Sequence, residues 1–170
     1  MKKLTRSSIV IIAAALAVAG AVAWRGLDAR EAAPAVSYTL LDGSVGSTGA
    51  QRGQVLLVNF WATSCVACVA EMPQIASTQQ KFGARGYQTL AVAMDYDQPA
   101  FVAHFARSRA LPFGVAFDQS GALARAFGDV KQTPTTFLID KQGRIVKRYL
   151  GTPDFLALHE LIGELLSEPG

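Results

Sequence analysis

The sequence predicts an α/β fold with a mainly parallel central sheet and one antiparallel edge. Short apolar runs of strand length alternate with longer amphipathic segments of helix length, which is the pattern of βαβ units. The last two strand segments are separated by only five residues, which include the turn signal at residues 140–143, so we expect them to form a hairpin at the sheet edge. The chain has 170 residues, of which 51% are hydrophobic. This composition suffices for one domain with a hydrophobic core and excludes global disorder.

The predicted elements follow the order β, β, α, β, α, β, α, β, β, α. The second strand is an almost unbroken apolar run, as expected for a central strand buried on both faces. Asp97 is predicted to cap the second helix, with Pro99 in its first turn. The strands are predicted at 36–40, 55–60, 89–94, 113–117, 135–139 and 145–150. The helices are predicted at 65–82, from Asp97 to before Pro112, at 121–127, and after an opening at 152–154.

The basic residues are concentrated at the N-terminus. Residues 1–30 contain five Lys or Arg and one Asp, whereas residues 31–170 contain eleven basic and twelve acidic residues. Binding to phosphate groups requires a basic face, so a nearly neutral domain disfavours nucleic acid as a partner.

The N-terminal segment has the pattern of an export leader. Three cations precede an uncharged run of 16 residues from Ile9 to Trp24, and small residues at 19–23 fit a cleavage site. As a helix, this run would span about 24 Å, so an uncleaved membrane anchor remains open as the alternative. We predict an export signal or membrane anchor at 1–30, a linker at 31–35 and the folded domain at 36–170.

The only two cysteines form the motif Cys65-Val66-Ala67-Cys68, between a buried strand and the start of a helix. A helix N-terminus offers free N–H groups and a partial positive charge, which lower the pKa of a thiol located there. A thiolate is the nucleophile that attacks a disulfide, and a second thiol one turn later can resolve the mixed disulfide. We therefore expect Cys65 to attack and Cys68 to be the more buried, resolving cysteine.

Two other uses of the cysteine pair are less favoured. A purely structural disulfide would close a loop too short to add much stability. A structural zinc site needs four ligands, and His104 and His159 are the only histidines in the chain. We therefore predict a redox-active dithiol with no metal and no cofactor.

Three motifs together resemble the thioredoxin superfamily, and more narrowly its exported or membrane-anchored TlpA/ResA-type thiol-disulfide oxidoreductases. They are N-F-W-A-T-S-C-V-A-C at 59–68, E-M-P at 71–73 and T-P-T-T-F-L-I-D at 133–140, within a resemblance that covers residues 35–167. The resemblance implies a thioredoxin-like three-layer fold, in which helices flank a mixed central sheet. Residues 99–117 match the extra helix-strand insertion of these proteins.

The resemblance also implies substrate-binding residues. Pro134 matches the cis-proline that faces the dithiol, and Thr133 before it would offer its backbone to the substrate chain. Trp61 is expected beside Cys65 in a substrate-binding position, although a plain core role is equally compatible with the sequence. Ser64 replaces the tryptophan that is common in the family, which leaves the substrate open.

Glu71 matches the acidic residue of the E-M-P signature. It lies three residues after Cys68, shares a helix face with it, and could accept its proton. A solvated glutamate stabilised by the helix dipole is the alternative. Thioredoxin has Asp where this chain has Asn59, and this difference shifts the acid–base role toward Glu71.

The direction of electron flow is predicted from the dipeptide Val66-Ala67, which adds no cation and no side-chain donor. Strongly oxidising dithiol proteins stabilise their reduced thiolate by interactions beyond those of the helix end. Because this dipeptide supplies none, we expect a reductase. The resemblance implies a bacterial periplasmic enzyme with disulfide-bonded clients, such as those of cytochrome c maturation, and a membrane thiol-electron donor. We expect a monomer. The alternatives are a Cu(I)-handling thiol protein, because two thiolates can bind Cu(I), and a disulfide oxidase or isomerase.

Overall fold

The computed structural model describes residues 30–169. The predicted export signal or anchor lies outside these residues, apart from Arg30, and stays a prediction. The elements are β1 (Ser37–Thr39), β2 (Val45–Ser47), β3 (Val55–Trp61), α1 (Val66–Phe82), β4 (Tyr87–Ala93), α2 (Pro99–Ser108), β5 (Gly114–Phe117), α3 (Ala122–Ala126), β6 (Thr135–Ile139), β7 (Ile145–Leu150) and α4 (Phe155–Ser167). Among residues 30–169, none of the helices combines the length and apolar character that a membrane span requires.

The predicted mixed sheet is confirmed. Five strands lie in the order β5-β4-β3-β6-β7. Strands β3, β4 and β5 are parallel, β6 is antiparallel to β3, and the hairpin partner β7 forms the antiparallel edge. Strands β1 and β2 form a separate antiparallel pair, and β2 lies between residues 40 and 55, where the sequence predicted no strand.

Strand β3 is central because all seven of its residues are buried and it pairs with a neighbour on each side. Its side chains alternate between two cores, as the pleat of a strand requires. We call first face the side of the sheet packed against α1, α2 and α4, and second face the side packed against α3 and β1. Val55, Leu57 and Trp61 point to the first face, and Leu56, Val58 and Phe60 point to the second.

The strand register collects the cysteine motif and the Thr-Pro motif at one edge of the sheet. Trp61 is paired with Ala93, so the carboxyl ends of the parallel strands β3 and β4 lie side by side. Phe60 is paired with Thr135, so the chain that enters β6 reaches the same edge. The segments at 62–65, 94–98 and 133–134 therefore border one another.

Two local predictions need correction. Helix α2 begins at Pro99 with Gln98 as its N-cap residue, not Asp97, whose carboxylate also has another partner, described below. Part of the predicted linker is attached to the domain, because the N–H of Ala33 donates to the carbonyl of Gly143 at 2.9 Å and that of Ile145 donates to Glu31 at 2.7 Å.

Candidate active site

The cysteine pair lies at the first turn of α1. Cys65 is the N-cap residue, and its Sγ accepts a hydrogen bond from the N–H of Cys68 at 3.2 Å. The two sulfur atoms form a disulfide. Cys65 is half-buried and Cys68 is fully buried, and Val66 beside them is 85% exposed. A partner can therefore reach Cys65 but not Cys68, which is the difference in burial that the sequence predicted.

The loop before β6 places Thr133 and Pro134 at the same edge of the sheet. The peptide bond between them is cis, the isomer that the resemblance implies. Pro134 is buried, and its carbonyl accepts from the N–H of Gly151 at 2.8 Å. Thr133 is half-buried, and its hydroxyl is hydrogen-bonded to the Tyr96 hydroxyl at 3.1 Å. The position of Thr133 is compatible with its predicted role in pairing with a client, and that role stays a prediction.

Glu71 is buried in the first face and is only 1% exposed, so the solvated alternative is wrong. Its Oε1 accepts from Asn59 Nδ2 at 3.0 Å, and the same amide donates to Thr136 Oγ1 at 2.9 Å. Burial raises the pKa of the Glu71 carboxyl, while the nearby Thr152 and Asn59 side chains oppose that shift. Oε2 has no hydrogen bond of ordinary geometry, although Thr152 approaches the carboxyl. A carboxyl in this environment keeps its proton to higher pH than an exposed glutamate.

Trp61 does not lie at the surface. Its side chain is fully buried, and its ring centroid is 5.2 Å from that of Phe105. The indole therefore contributes to the core, and the predicted direct contact with a substrate is not supported. Its Nε1 has no hydrogen-bond partner.

The two histidines lie outside the site. His104 is exposed on α2. His159 on α4 is hydrogen-bonded through Nε2 to Thr78 Oγ1 at 2.8 Å, and burial together with the charge of Lys81 lowers its pKa. Within residues 30–169, no three His, Cys, Asp or Glu side chains are grouped so that they could hold a metal ion.

Asp97 is a site residue whose role the sequence did not predict. Its carboxylate accepts from the backbone N–H of Thr63 at 2.5 Å and from the Thr63 hydroxyl at 2.6 Å. Thr63 lies two residues before Cys65. The sequence contained one indication of this role. Asp97 lies shortly after the end of a predicted parallel strand, next to the strand that leads to the cysteines.

Comparisons with known proteins agree with this geometry. The Redoxin family matches residues 28–158. The thiol-disulfide oxidoreductase ResA of Bacillus thuringiensis is 31% identical over 133 residues, which are 78% of this chain and 76% of the relative. ResA of Bacillus subtilis is 33% identical over 119 residues, 70% of this chain and 64% of the relative.

Two solved structures have the same fold. A Neisseria meningitidis protein assigned to the thioredoxins is 39% identical with a TM-score of 0.74, covering 81% of this chain and 91% of its own. A Chlorobium tepidum protein assigned as the thiol:disulfide interchange protein DsbE is 32% identical with a TM-score of 0.75, covering 82% and 99%.

The fold and the cysteine pair together define a thiol-disulfide oxidoreductase of the thioredoxin superfamily. The chain belongs to the Redoxin family and is of the TlpA/ResA type within it.

Proposed function

We propose that this chain is a periplasmic disulfide reductase that acts through Cys65 and Cys68. The observation that carries the proposal is the unequal burial of the two sulfur-bearing residues at the first turn of α1. The accessible Cys65 is placed to meet a client, and the enclosed Cys68 is placed to meet only Cys65. The cationic and then apolar pattern of residues 1–30 supports export.

The reduction proceeds in two thiol–disulfide exchange steps. The Cys65 thiolate bonds to one sulfur of the client disulfide, the client S–S bond breaks, and one client thiolate leaves. Cys68 then loses its proton and attacks Cys65 Sγ, which breaks the mixed disulfide and releases the second client thiolate. Two electrons pass to the client, its two thiolates take up two protons, and the enzyme is left with the Cys65–Cys68 disulfide. A thiol-electron donor at the membrane then returns the enzyme to the dithiol.

Glu71 is the residue that we assign to the proton of Cys68. It lies one turn further along α1, and its Oε2 has no hydrogen bond of ordinary geometry. Since burial raises the pKa of this carboxyl, the group exchanges a proton with a thiol more readily than an ordinary glutamate would. Asn59 holds the other carboxylate oxygen in place.

The client is a protein with a disulfide, and cytochrome c maturation is a process that would supply one. We assign the backbone of Thr133, which precedes the cis Pro134, to pairing with the client chain. An extended client segment gains hydrogen bonds from such a contact without depending on its own side chains.

The direction of electron flow rests on the surroundings of Cys65. Within the described residues, the hydrogen bond to its Sγ comes from the backbone N–H of Cys68, and the side chains of Val66 and Ala67 offer no donor. A strong oxidant needs additional stabilisation of its reduced form. Trapping the cysteines by alkylation in cells should therefore find them mostly reduced, whereas a mostly oxidised pair would favour the oxidase or isomerase alternative.

The central test compares two cysteine variants. Cys65→Ser should abolish reduction of an insulin disulfide, and Cys68→Ser should accumulate a covalent mixed disulfide that is visible on a non-reducing gel. His104→Ser, at an exposed position on α2, is the control and should retain full activity. Full activity in Cys65→Ser would refute the proposed function.

A further inference from the structure

Two consecutive residues of the loop between β4 and α2 bond to the two segments on which the proposed reaction depends. Asp97 accepts two hydrogen bonds from Thr63, at 2.5 Å from its N–H and at 2.6 Å from its hydroxyl. The Tyr96 hydroxyl is hydrogen-bonded to the Thr133 hydroxyl at 3.1 Å. We call residues 94–98 the bridging loop, because they join the cysteine turn to the loop before β6.

Asp97 holds the turn that presents Cys65. The N–H of Cys65 donates to the carbonyl of Ala62 at 3.1 Å, which closes a turn over residues 62–65. Inside such a turn, the N–H of the second residue has no partner of its own. Here that residue is Thr63, and Asp97 supplies the acceptor for its N–H. Since only Ser64 separates Thr63 from Cys65, this contact fixes where the Cys65 sulfur meets the helix end.

The bridging loop is itself anchored at both ends. The N–H of Met94 donates to the carbonyl of Trp61 at 3.0 Å, which continues the pairing of β3 with β4. The N–H of Asp97 donates to Met94, also at 3.0 Å, and the Asp97 carboxylate accepts from the N–H of Gln98 at 2.8 Å, at the start of α2. Asp97 therefore links Thr63 to the sheet and to α2, rather than to a freely moving segment.

Tyr96 connects the bridging loop to the loop before β6. Its side chain is 57% exposed although its hydroxyl is engaged with Thr133, so the ring lies along the surface beside the loop before β6. Thr133 is the residue whose backbone we assign to client pairing, and it directly precedes Pro134. The hydroxyl contact fixes the distance between this loop and the bridging loop.

We propose that Tyr96 and Asp97 are positioning residues that set the spacing between the Cys65 turn and the client-pairing Thr133. This inference rests on the proposed roles of Cys65 and Thr133. The two residues act differently. Asp97 controls the attacking sulfur itself, so it affects every substrate. Tyr96 controls only the pairing loop, so it affects only substrates long enough to reach Thr133.

Three measurements on the reduced full-length protein separate these effects: alkylation of Cys65 by iodoacetamide, reduction of the small disulfide DTNB, and kcat and KM for insulin. Tyr96→Phe removes one hydroxyl and keeps the ring. It should raise KM for insulin about two- to tenfold, the range of one hydrogen bond, and leave the two small-reagent rates unchanged.

Asp97→Asn should slow all three reactions by about tenfold or more, because it disrupts charge-assisted hydrogen bonds that hold Cys65 at the helix end. Thr63→Val removes the hydroxyl without changing the charge of Asp97, and should slow the same reactions by a smaller factor. Glu164→Gln removes an equal charge at an exposed position on α4, outside the bridging loop, and should match the wild type.

The double variant Thr63→Val/Asp97→Asn distinguishes a specific contact between these two side chains from two independent losses of local structure. If the contact is specific, adding Thr63→Val to Asp97→Asn slows the reactions little further, so that the double variant resembles Asp97→Asn alone, whereas multiplying effects would contradict the inference. Wild-type behaviour of Tyr96→Phe and Asp97→Asn, with Cys65→Ser inactive, would refute the positioning role and leave the proposed function intact. An active Cys65→Ser would instead refute the proposed function.

Discussion

The two faces of the five-stranded sheet are built from different chemistry. The first face buries Glu71, Asn59 and Thr136, and it holds buried polar atoms without a partner on Glu71, Asn59 and Trp61. In the second face, the rings of Phe60, Phe127 and Phe137 pack against one another, with centroids 5.0–6.0 Å apart.

The difference indicates where the domain gains stability and where it carries out chemistry. A buried polar atom without a partner costs about 1–3 kcal/mol, whereas aromatic pairs add to the gain from burial. The unpartnered polar atoms of the first face therefore lower the stability of the domain where the proposed proton transfer occurs. The aromatic packing of the second face offsets this loss. Substitutions on the two faces should have separable effects.

The largest expected effect is on the second face. Phe137→Ala should lower the free energy of unfolding by about 3–5 kcal/mol, because it leaves a cavity between two other rings. Denaturant unfolding measures this loss, and the reduction potential of the fraction that remains folded should not change. Phe101→Ala, at a position 57% exposed, is the control and should change stability by less than about 0.5 kcal/mol. Equal losses in the two variants would contradict the assignment of stability to the second face.

The next effect is kinetic and lies on the first face. Glu71→Gln keeps the oxygen that accepts from Asn59 and removes the proton acceptor, so resolution of the mixed disulfide should slow by about a hundredfold, or about 2.7 kcal/mol of barrier. Stopped-flow decay of the mixed disulfide measures this step. The wild-type rate should fall as the pH falls through the raised pKa of Glu71, and the variant should lack that inflection. Glu160→Gln on the exposed side of α4 should behave as the wild type.

The smallest expected effect is on how the free energy of unfolding depends on pH. The pKa of Glu71 is higher in the folded protein than in the unfolded chain, so folding favours the protonated form. The contribution of Glu71 to the free energy of unfolding is fully present below the pKa that Glu71 has in the unfolded chain. It is lost as the pH rises through the pKa that Glu71 has in the folded protein. The wild type should therefore lose stability relative to Glu71→Gln as the pH rises through that window. A difference between the two proteins that does not vary with pH would contradict the sign of the shift.

Local patterns predicted the elements whose ends carry their own signals. Strands β6 and β7 have the predicted bounds, because Pro134 precedes β6 and a short connection of five residues, 140–144, joins the two strands. The cysteine pair and the greater burial of Cys68 followed from a single motif at a helix end. These features depend on neighbours in sequence.

The features that were missed depend on distant partners. Strand β2 is three residues long, and its Gly46 is required where the Tyr38 ring lies, 2.6 Å from the position that a Cβ would occupy. Asp97 has the local pattern of a helix cap, and its bonds to Thr63 reach 34 residues back along the chain. Trp61 directly follows the predicted strand 55–60, and its complete burial became evident only with the packing of Phe105.

The attachment of residues 31–33 to the β6–β7 hairpin holds this segment at one end of the sheet. Glu31 and Ala33 bond to residues 143–145, at the opposite end of the hairpin from Thr135. The five residues of β6 span about 17 Å between these ends. Residues 31–33 thus join the hairpin at the end of β6 that lies away from Pro134 and from the sheet edge that carries the cysteines.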